Sequence, residues 1–256
     1  MSETRQIIGV IGGVGPYAGL DFVRNIFNNT VAERDQEHLD CMLVSCPALI
    51  PDRTGYLLGE GAQNPADGIY ECAWRLYNAG CRCAALPCNT AHSGPIFGPL
   101  QKKIAETMPD FTLVNMIETC VRHIRENLPQ VCRVGLLATK GTYKSGVYRE
   151  YFQREAGVAL IEPEEIGKEK IHQAIYNREF GIKAHSERIC SQAQHHVIYE
   201  IYRLLDQGAQ AVILGCTELP LAVTPSDFPA PLIDPGKITA RALITRCAPE
   251  KLLPEK

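Results

Sequence analysis

Two apolar runs that break off at a cysteine constrain this chain more than any other feature. The first, CAALPCNTAH, ends its apolar stretch at Cys88; the second, AVILGCTELPL, ends at Cys216. Both runs are short and unbroken, the pattern of a strand buried on both faces of a parallel sheet. Each cysteine is followed at once by small polar residues, Asn89-Thr90 in one case and Thr217 in the other. A strand that releases a thiol and polar residues at its carboxyl end places chemistry at the open edge of an α/β sheet.

The two cysteines lie 128 positions apart, and other segments repeat at nearly that interval. IIGVIGGVGPYAG (Ile7 to Gly19) is echoed by RVGLLATKGTYKSG (Arg133 to Gly146), with Gly9 and Gly135 separated by 126. LVN (Leu113 to Asn115) is echoed by LID (Leu232 to Asp234), each followed by an amphipathic helical pattern. Three ordered correspondences predict two similar lobes. Two thiols facing each other across one cleft suit moving a proton on and off a carbon from opposite faces.

Between these landmarks, apolar runs alternate with helical patterns. Strands are predicted at Ile7–Ile11, Met42–Ser45, Ala84–Pro87, Thr112–Val114, Val134–Ala138, Ala159–Ile161, Ala211–Leu214 and Pro231–Ile233. The helix predicted over Ala66–Asn78 carries Ile69, Cys72, Ala73, Leu76 and Tyr77 on one face and stops at Gly80. A second, over Ala193–Leu205, carries Val197, Ile198, Ile201, Leu204 and Leu205 and stops at Gly208. The alternation predicts a doubly wound α/β fold. No low-complexity linker separates the halves, so the hinge falls in ordinary connections near Asn115 and Leu232.

Composition narrows the function classes. A net charge of −3, with no Lys/Arg cluster, argues against a nucleic-acid partner. No apolar stretch approaches the roughly 18 residues of a membrane span. MSETRQ leads straight into a strand, which predicts no signal peptide. Eleven cysteines, an odd number without framework spacing, predict a reducing, cytoplasmic setting.

Several motifs carry less than they suggest. GGVGPYAG lacks the lysine of a phosphate loop and does not match G-x-G-x-x-G in register. Its glycines permit a tight turn, and Pro16 suits a first helical position. The free amides of this turn, which begins at Gly12, can still hold an anionic substrate group. Cys81-x-Cys83 has the wrong spacing for zinc, and no metal site is expected. His195-His196 reads as part of a solvated helix face, and most remaining cysteines read as small buried hydrophobes. Cys88 and Cys216 differ because each precedes backbone amides and a new helix, whose positive end stabilises a thiolate.

IPDRTGYLLGEG (Ile50 to Gly61) adds a cation. Arg53 sits on a loop stiffened by Pro51 and is suited to bidentate capture of a carboxylate, the alternative being a surface ion pair with Asp52. Lys168 and Lys170, at the start of a helical segment, supply a candidate second cation or merely solvate that helix.

Taken together, IGGVGP, RDQEH (Arg34 to His38), IPDRT, PCNTAH, LLATKGTYKSGVY and GCTEL resemble the aspartate racemase family, the cofactor-independent branch of the aspartate/glutamate racemases. The matches run in order from about Ile7 to Asp234. Glutamate racemases are less similar, since their second cysteine is usually followed by Thr-His and this chain has Thr217-Glu218.

The resemblance implies two flavodoxin-like lobes with the active site in the cleft between them. It also implies a C-terminal helix that returns to the first lobe, giving 1–115 plus 233–256 and 116–232. By the same resemblance Cys88 and Cys216 are the catalytic pair. Asn89, Thr90 and Thr217 hold the amino and α-carboxylate groups, and Arg53, with Asp52 beside it, grips the distal carboxylate. A lysine, Lys170 in preference to Lys168, assists. No cofactor is implied; an aspartate or glutamate substrate and a homodimer are. One thiolate takes the α-proton while the opposing thiol protonates the other face, the pair titrating as a unit. A related decarboxylase or cis–trans isomerase, and a non-catalytic amino-acid-binding protein, remain the other classes. Hydrogen exchange at the α-carbon in deuterated water separates the last from an enzyme.

Overall fold

The computed structural model describes residues 6–61, 63–154 and 158–254. The expectation about a signal peptide rests on residues 1–5 and lies outside the described residues. Two four-stranded, all-parallel sheets form the frame. The first contains β1 (Ile8–Gly12), β2 (Cys41–Ser45), β3 (Cys83–Ala85) and β4 (Thr112–Val114), ordered β2-β1-β3-β4. The second contains β5 (Arg133–Ala138), β6 (Ala159–Ile161), β7 (Ala211–Gly215) and β8 (Leu232–Ile233), ordered β6-β5-β7-β8. The two orders are the same plan, so the echo in the sequence is an echo in the winding. In each sheet the strand order reverses between the first and third strands, the place where open α/β sheets form ligand crevices.

The helices are α1 (Pro16–Asn28), α2 (Arg53–Leu58), α3 (Ala66–Asn78), α4 (Gly94–Thr107), α5 (Met116–Asn127), α6 (Lys140–Ser145), α7 (Val147–Arg154), α8 (Glu165–Tyr176), α9 (Ser191–Asp206) and α10 (Pro235–Cys247). α3 spans the predicted residues and buries Ile69, Cys72, Ala73 and Leu76. α9 runs a little beyond its prediction and buries Ala193, Val197, Ile201 and Leu204. The LVN and LID echoes prove to be strand-and-cap pairs. The Asn115 side chain accepts from the Ile117 and Glu118 amides at the head of α5, and Asp234 accepts from Gly236 at the head of α10.

Strand alternation sorts the core residues to the two faces of each sheet. On the first sheet, Ile11 packs with Ile69, Leu76 and Leu100 of α3 and α4, whereas Ile8 and Val10 pack with Phe22 and Ile26 of α1. α10 completes that second face with Ala240, Leu243 and Ile244, far in sequence from the strands it covers. On the second sheet, Val134 and Leu136 face α5 and α7, and Leu137 faces α8 and α9.

Candidate active site

Both cysteines emerge from third strands. Cys88 follows β3 by three residues in a tight turn, its amide donating to Leu86 O at 2.8 Å. The turn is anchored by His92, whose Nδ1 lies 2.9 Å from Cys88 O while the Met116 amide donates to Nε2 at 3.2 Å. An imidazole nitrogen that accepts an amide proton carries none itself, so Nδ1 bears the hydrogen and donates it to Cys88 O. Burial pushes His92 down to about 4, which keeps it neutral. The histidine of PCNTAH therefore ties the Cys88 turn to the first residue of α5.

Cys216 comes directly after β7, and its thiol donates to Glu218 Oε2 at 2.9 Å. The other oxygen, Oε1, is 3.0 Å from Lys183 Nζ. Lys183 stands in the chain beyond α8, which folds back so that the Ile182 and Lys183 amides donate to Ala174 O and Ile175 O. Burial opposes the charge on Glu218, but Lys183, the Cys216 thiol and Arg53 together outweigh it and hold the carboxyl below its usual range. Burial and the Glu218 charge both push the Cys216 thiol well up. Lys183 stays protonated: burial works against its charge, and Glu218 more than restores it.

Arg53 opens α2, which Asp52 caps by accepting from the Gly55 amide at 2.6 Å. Asp52 also accepts from the Tyr176 hydroxyl at 3.0 Å. The Arg53 guanidinium is buried rather than paired at the surface, donating to Val14 O and Pro51 O. An exposed Asp52–Arg53 ion pair does not describe this arrangement.

The lobes meet through these same segments. Thr217 Oγ1 donates to Pro87 O at 3.2 Å, which joins the neighbours of the two cysteines. Thr54 and Thr90 of one lobe and Thr139 and Thr142 of the other share a buried knot of hydroxyls at 2.9–3.2 Å. Tyr148 donates to Asn89 Oδ1 at 2.6 Å, leaving Asn89 Nδ2 buried with no hydrogen-bond partner among the described residues; the same holds for Arg53 Nε. Between the lobes opens a cavity of about 320 Å³, lined in part by Gly13, Gly15, Asp52, Arg53, Lys183 and Glu218. That is near the small end of ligand pockets, roughly 300–1,000 Å³.

Of the residues singled out in the sequence, Arg53 and Asp52 line this cavity, and the turns bearing Cys88, Asn89, Cys216 and Thr217 converge beside it. The Thr90 hydroxyl is spent in the interlobe knot. Gly12 sits at the end of β1 against Leu43, where a Cβ would come within 2.7 Å of Leu43 Cδ1, and the following glycines line the cavity instead. Lys170 lies on the far side of α8, 3.9 Å from Glu200 and over the Tyr199 ring, while Lys168 pairs with Glu162 and Glu165. The lysine in the cavity is Lys183. α8 turns its Ile171 and Ile175 inward, so lysines at 168 and 170 project elsewhere. Glu218 was visible as the residue after Cys216-Thr217 but carried no signal of its ion pair. Among the described residues no group of three or more His, Cys, Asp or Glu is placed to hold a metal ion.

Residues 11–243 match the Asp/Glu/Hydantoin racemase family. A broad specificity amino-acid racemase, RacX, of Bacillus subtilis is 23% identical over 93% of this chain and 97% of its own length. The structure of Picrophilus torridus aspartate racemase superposes with a TM-score of 0.78 at 25% identity, covering 97% of this chain and 96% of that one. A glutamate racemase from Francisella tularensis, in complex with D-glutamate, shares the fold with a TM-score of 0.64 at 18% identity, covering 98% and 84%. In class, then, the fold and the family match define an amino-acid racemase. The chain belongs to the Asp/Glu/Hydantoin racemase family.

Proposed function

We propose that this protein interconverts L- and D-aspartate without a cofactor, with glutamate as the longer alternative substrate, through Cys88 and Cys216 acting from opposite faces of the α-carbon. The observation that supports this reading is that the two cysteine-bearing turns meet, Thr217 against Pro87, beside one interlobe cavity that presents Arg53, Lys183 and the Glu218 bonded to Cys216. Two cations suit a dicarboxylate, and Lys183 takes the part expected of Lys170. The unpartnered Asn89 Nδ2 and the amides of the Cys88 and Cys216 turns serve the α-carboxylate, whose carbon becomes carbanion-like as the proton leaves. Closure of the lobes excludes water while this happens.

The experiment is α-proton exchange of L- and D-aspartate in deuterated water, followed together with loss of optical activity. Both enantiomers should exchange and equilibrate. Binding without exchange would make the protein an amino-acid-binding module, and exchange without inversion would point to a one-base enzyme. Further parts of the proposal are a cytoplasmic location, in keeping with eleven free cysteines, a homodimer, and a division into 1–115 plus 233–256 and 116–232.

A further inference from the structure

We propose that Glu218 makes the two thiols unequal at rest, holding Cys216 as the thiol in the unliganded enzyme. This rests on the racemase reading for its use but is measurable without substrate. Glu218 lies directly against the Cys216 sulfur. Its carboxylate accepts the thiol hydrogen at 2.9 Å, and Glu218 is only 2% exposed, so water screens the contact poorly.

The other groups facing Cys216 do not cancel this. The phenols of Tyr143, Tyr148 and Tyr176 are neutral, with burial pushing each one up. The Lys183 ammonium is committed to Glu218 Oε1 at 3.0 Å. That ion pair keeps Glu218 charged, and the charge keeps the thiol protonated. His92, which faces the Cys88 turn, touches the Cys88 carbonyl and carries no charge near neutral pH.

The arrangement gives Glu218 a positioning role in the reaction. A substrate whose α-hydrogen faces Cys88 meets a ready acid, the Cys216 thiol, on its other side. The proton passes from the α-carbon to the Cys88 sulfur, and the Cys216 proton passes to the opposite face of that carbon. Negative charge has then moved from Cys88 to Cys216, beside Glu218. Lys183 is the group that makes this product form reachable, and a proton returned to Cys216 through solvent water, with Cys88 releasing its own, restores the resting form.

The test is alkylation of the unliganded full chain with iodoacetamide across pH 6–10, each cysteine followed by peptide mass spectrometry. Exposure does not separate the two sites, at 6% for Cys88 and 7% for Cys216, so a rate difference reports on protonation. At pH 7.5 Cys216, its thiol held by the Glu218 carboxylate, should react at least about tenfold more slowly than Cys88, the retardation that one unit of raised pKa gives. Glu218→Gln should raise the Cys216 rate about tenfold and move its profile to lower pH, leaving the Cys88 profile in place. Glu218→Asp, which keeps the charge, should restore slow alkylation. Equal rates in the wild type, or a Cys216 profile that Glu218→Gln leaves unmoved, would overturn the proposal. Should Glu218→Gln fail to fold by circular dichroism, the wild-type comparison decides alone. Racemase activity assayed in parallel keeps the two readings apart: its absence sinks the proposed function and leaves the alkylation result standing.

Discussion

Cys88 and Cys216 act as a unit, so removing either should cost nearly as much as removing both. Cys88→Ser and Cys216→Ser are each expected to abolish racemisation of aspartate, because a serine hydroxyl is a very weak base at neutral pH, and the double variant should lose little more. Each single variant retains one sulfur, so exchange or elimination with an easily deprotonated substrate analogue should survive for one enantiomer, a different one in each, and more slowly in Cys88→Ser, whose remaining Cys216 is held as the thiol by Glu218. Identical enantiomer preference in both would mean the sulfurs do not face opposite sides of one carbon. A second residue-scale prediction separates the lysines. Arg53→Ala and Lys183→Met should each lower kcat/KM for aspartate by about 100-fold or more, roughly 2.7 kcal/mol of lost transition-state binding. Lys170→Ala should leave it unchanged, since Lys170 faces Glu200 and Tyr199 rather than the cavity. Steady-state kinetics on the three variants decide it. Arg53 stood out in the sequence because Pro51 stiffens the turn before it, although the Asp52 cap that opens α2 was not read there. Lys183 was not, because it reaches the cavity through an irregular segment that folds back onto α8, and no periodicity encodes such a return.

At the scale of elements, the apolar runs located the eight strands among the described residues, most plainly β1 and β7, which are buried at every position and so need apolar or small residues throughout. What those runs did not encode is how each turn presents its residues. The β1–α1 turn is a case in point. Gly15 has φ of 152°, and a Cβ there would lie 2.2 Å from Glu218 Oε1. Gly15→Ala should therefore displace Glu218 and cut activity sharply while changing the melting temperature less than a core truncation would; unaltered kinetics would show that the turn tolerates the side chain. The His92 strap gives a pH prediction. Its folded value, near 4, lies below the ordinary histidine value of 6.5, so between these limits the unfolded chain binds the extra proton. Stability from this group is complete above about pH 6.5 and falls as pH drops through 4, in total on the order of 3 kcal/mol. Asp234, raised to about 6 by burial, acts with the opposite sign over part of that range and flattens the wild-type curve. Urea denaturation of wild type and His92→Asn at several pH values isolates the term. The variant should gain stability relative to wild type as pH falls from 6.5 to 4, and a constant difference would mean His92 titrates normally in the folded protein.

For the whole molecule, the question is which pieces of chain make a foldable unit. The lobes repeat one plan, yet the first is incomplete within its own continuous sequence. β1 turns Ile8 and Val10 toward Phe22 and Ile26 of α1, and that face closes only when α10 brings Ala240, Leu243 and Ile244 across it. The second lobe keeps more of its own cover, because Cys120, Val121 and Ile124 of α5 pack directly on β5 and β7 residues. Without α10, the first sheet would expose several large apolar side chains, each worth about 1.5–3 kcal/mol when buried, against a domain stability of only about 5–15 kcal/mol. A fragment ending at residue 115 should therefore fail to fold cooperatively. The same fragment joined through a short Gly/Ser linker to residues 233–254 should recover a sigmoidal urea transition. Leu243→Ala in the full chain should destabilise this lobe by about 2–5 kcal/mol through the cavity it leaves. If the fragment ending at 115 unfolds cooperatively at the same urea concentration as the joined one, α10 is a passenger, and the proposed division into 1–115 plus 233–256 and 116–232 is wrong.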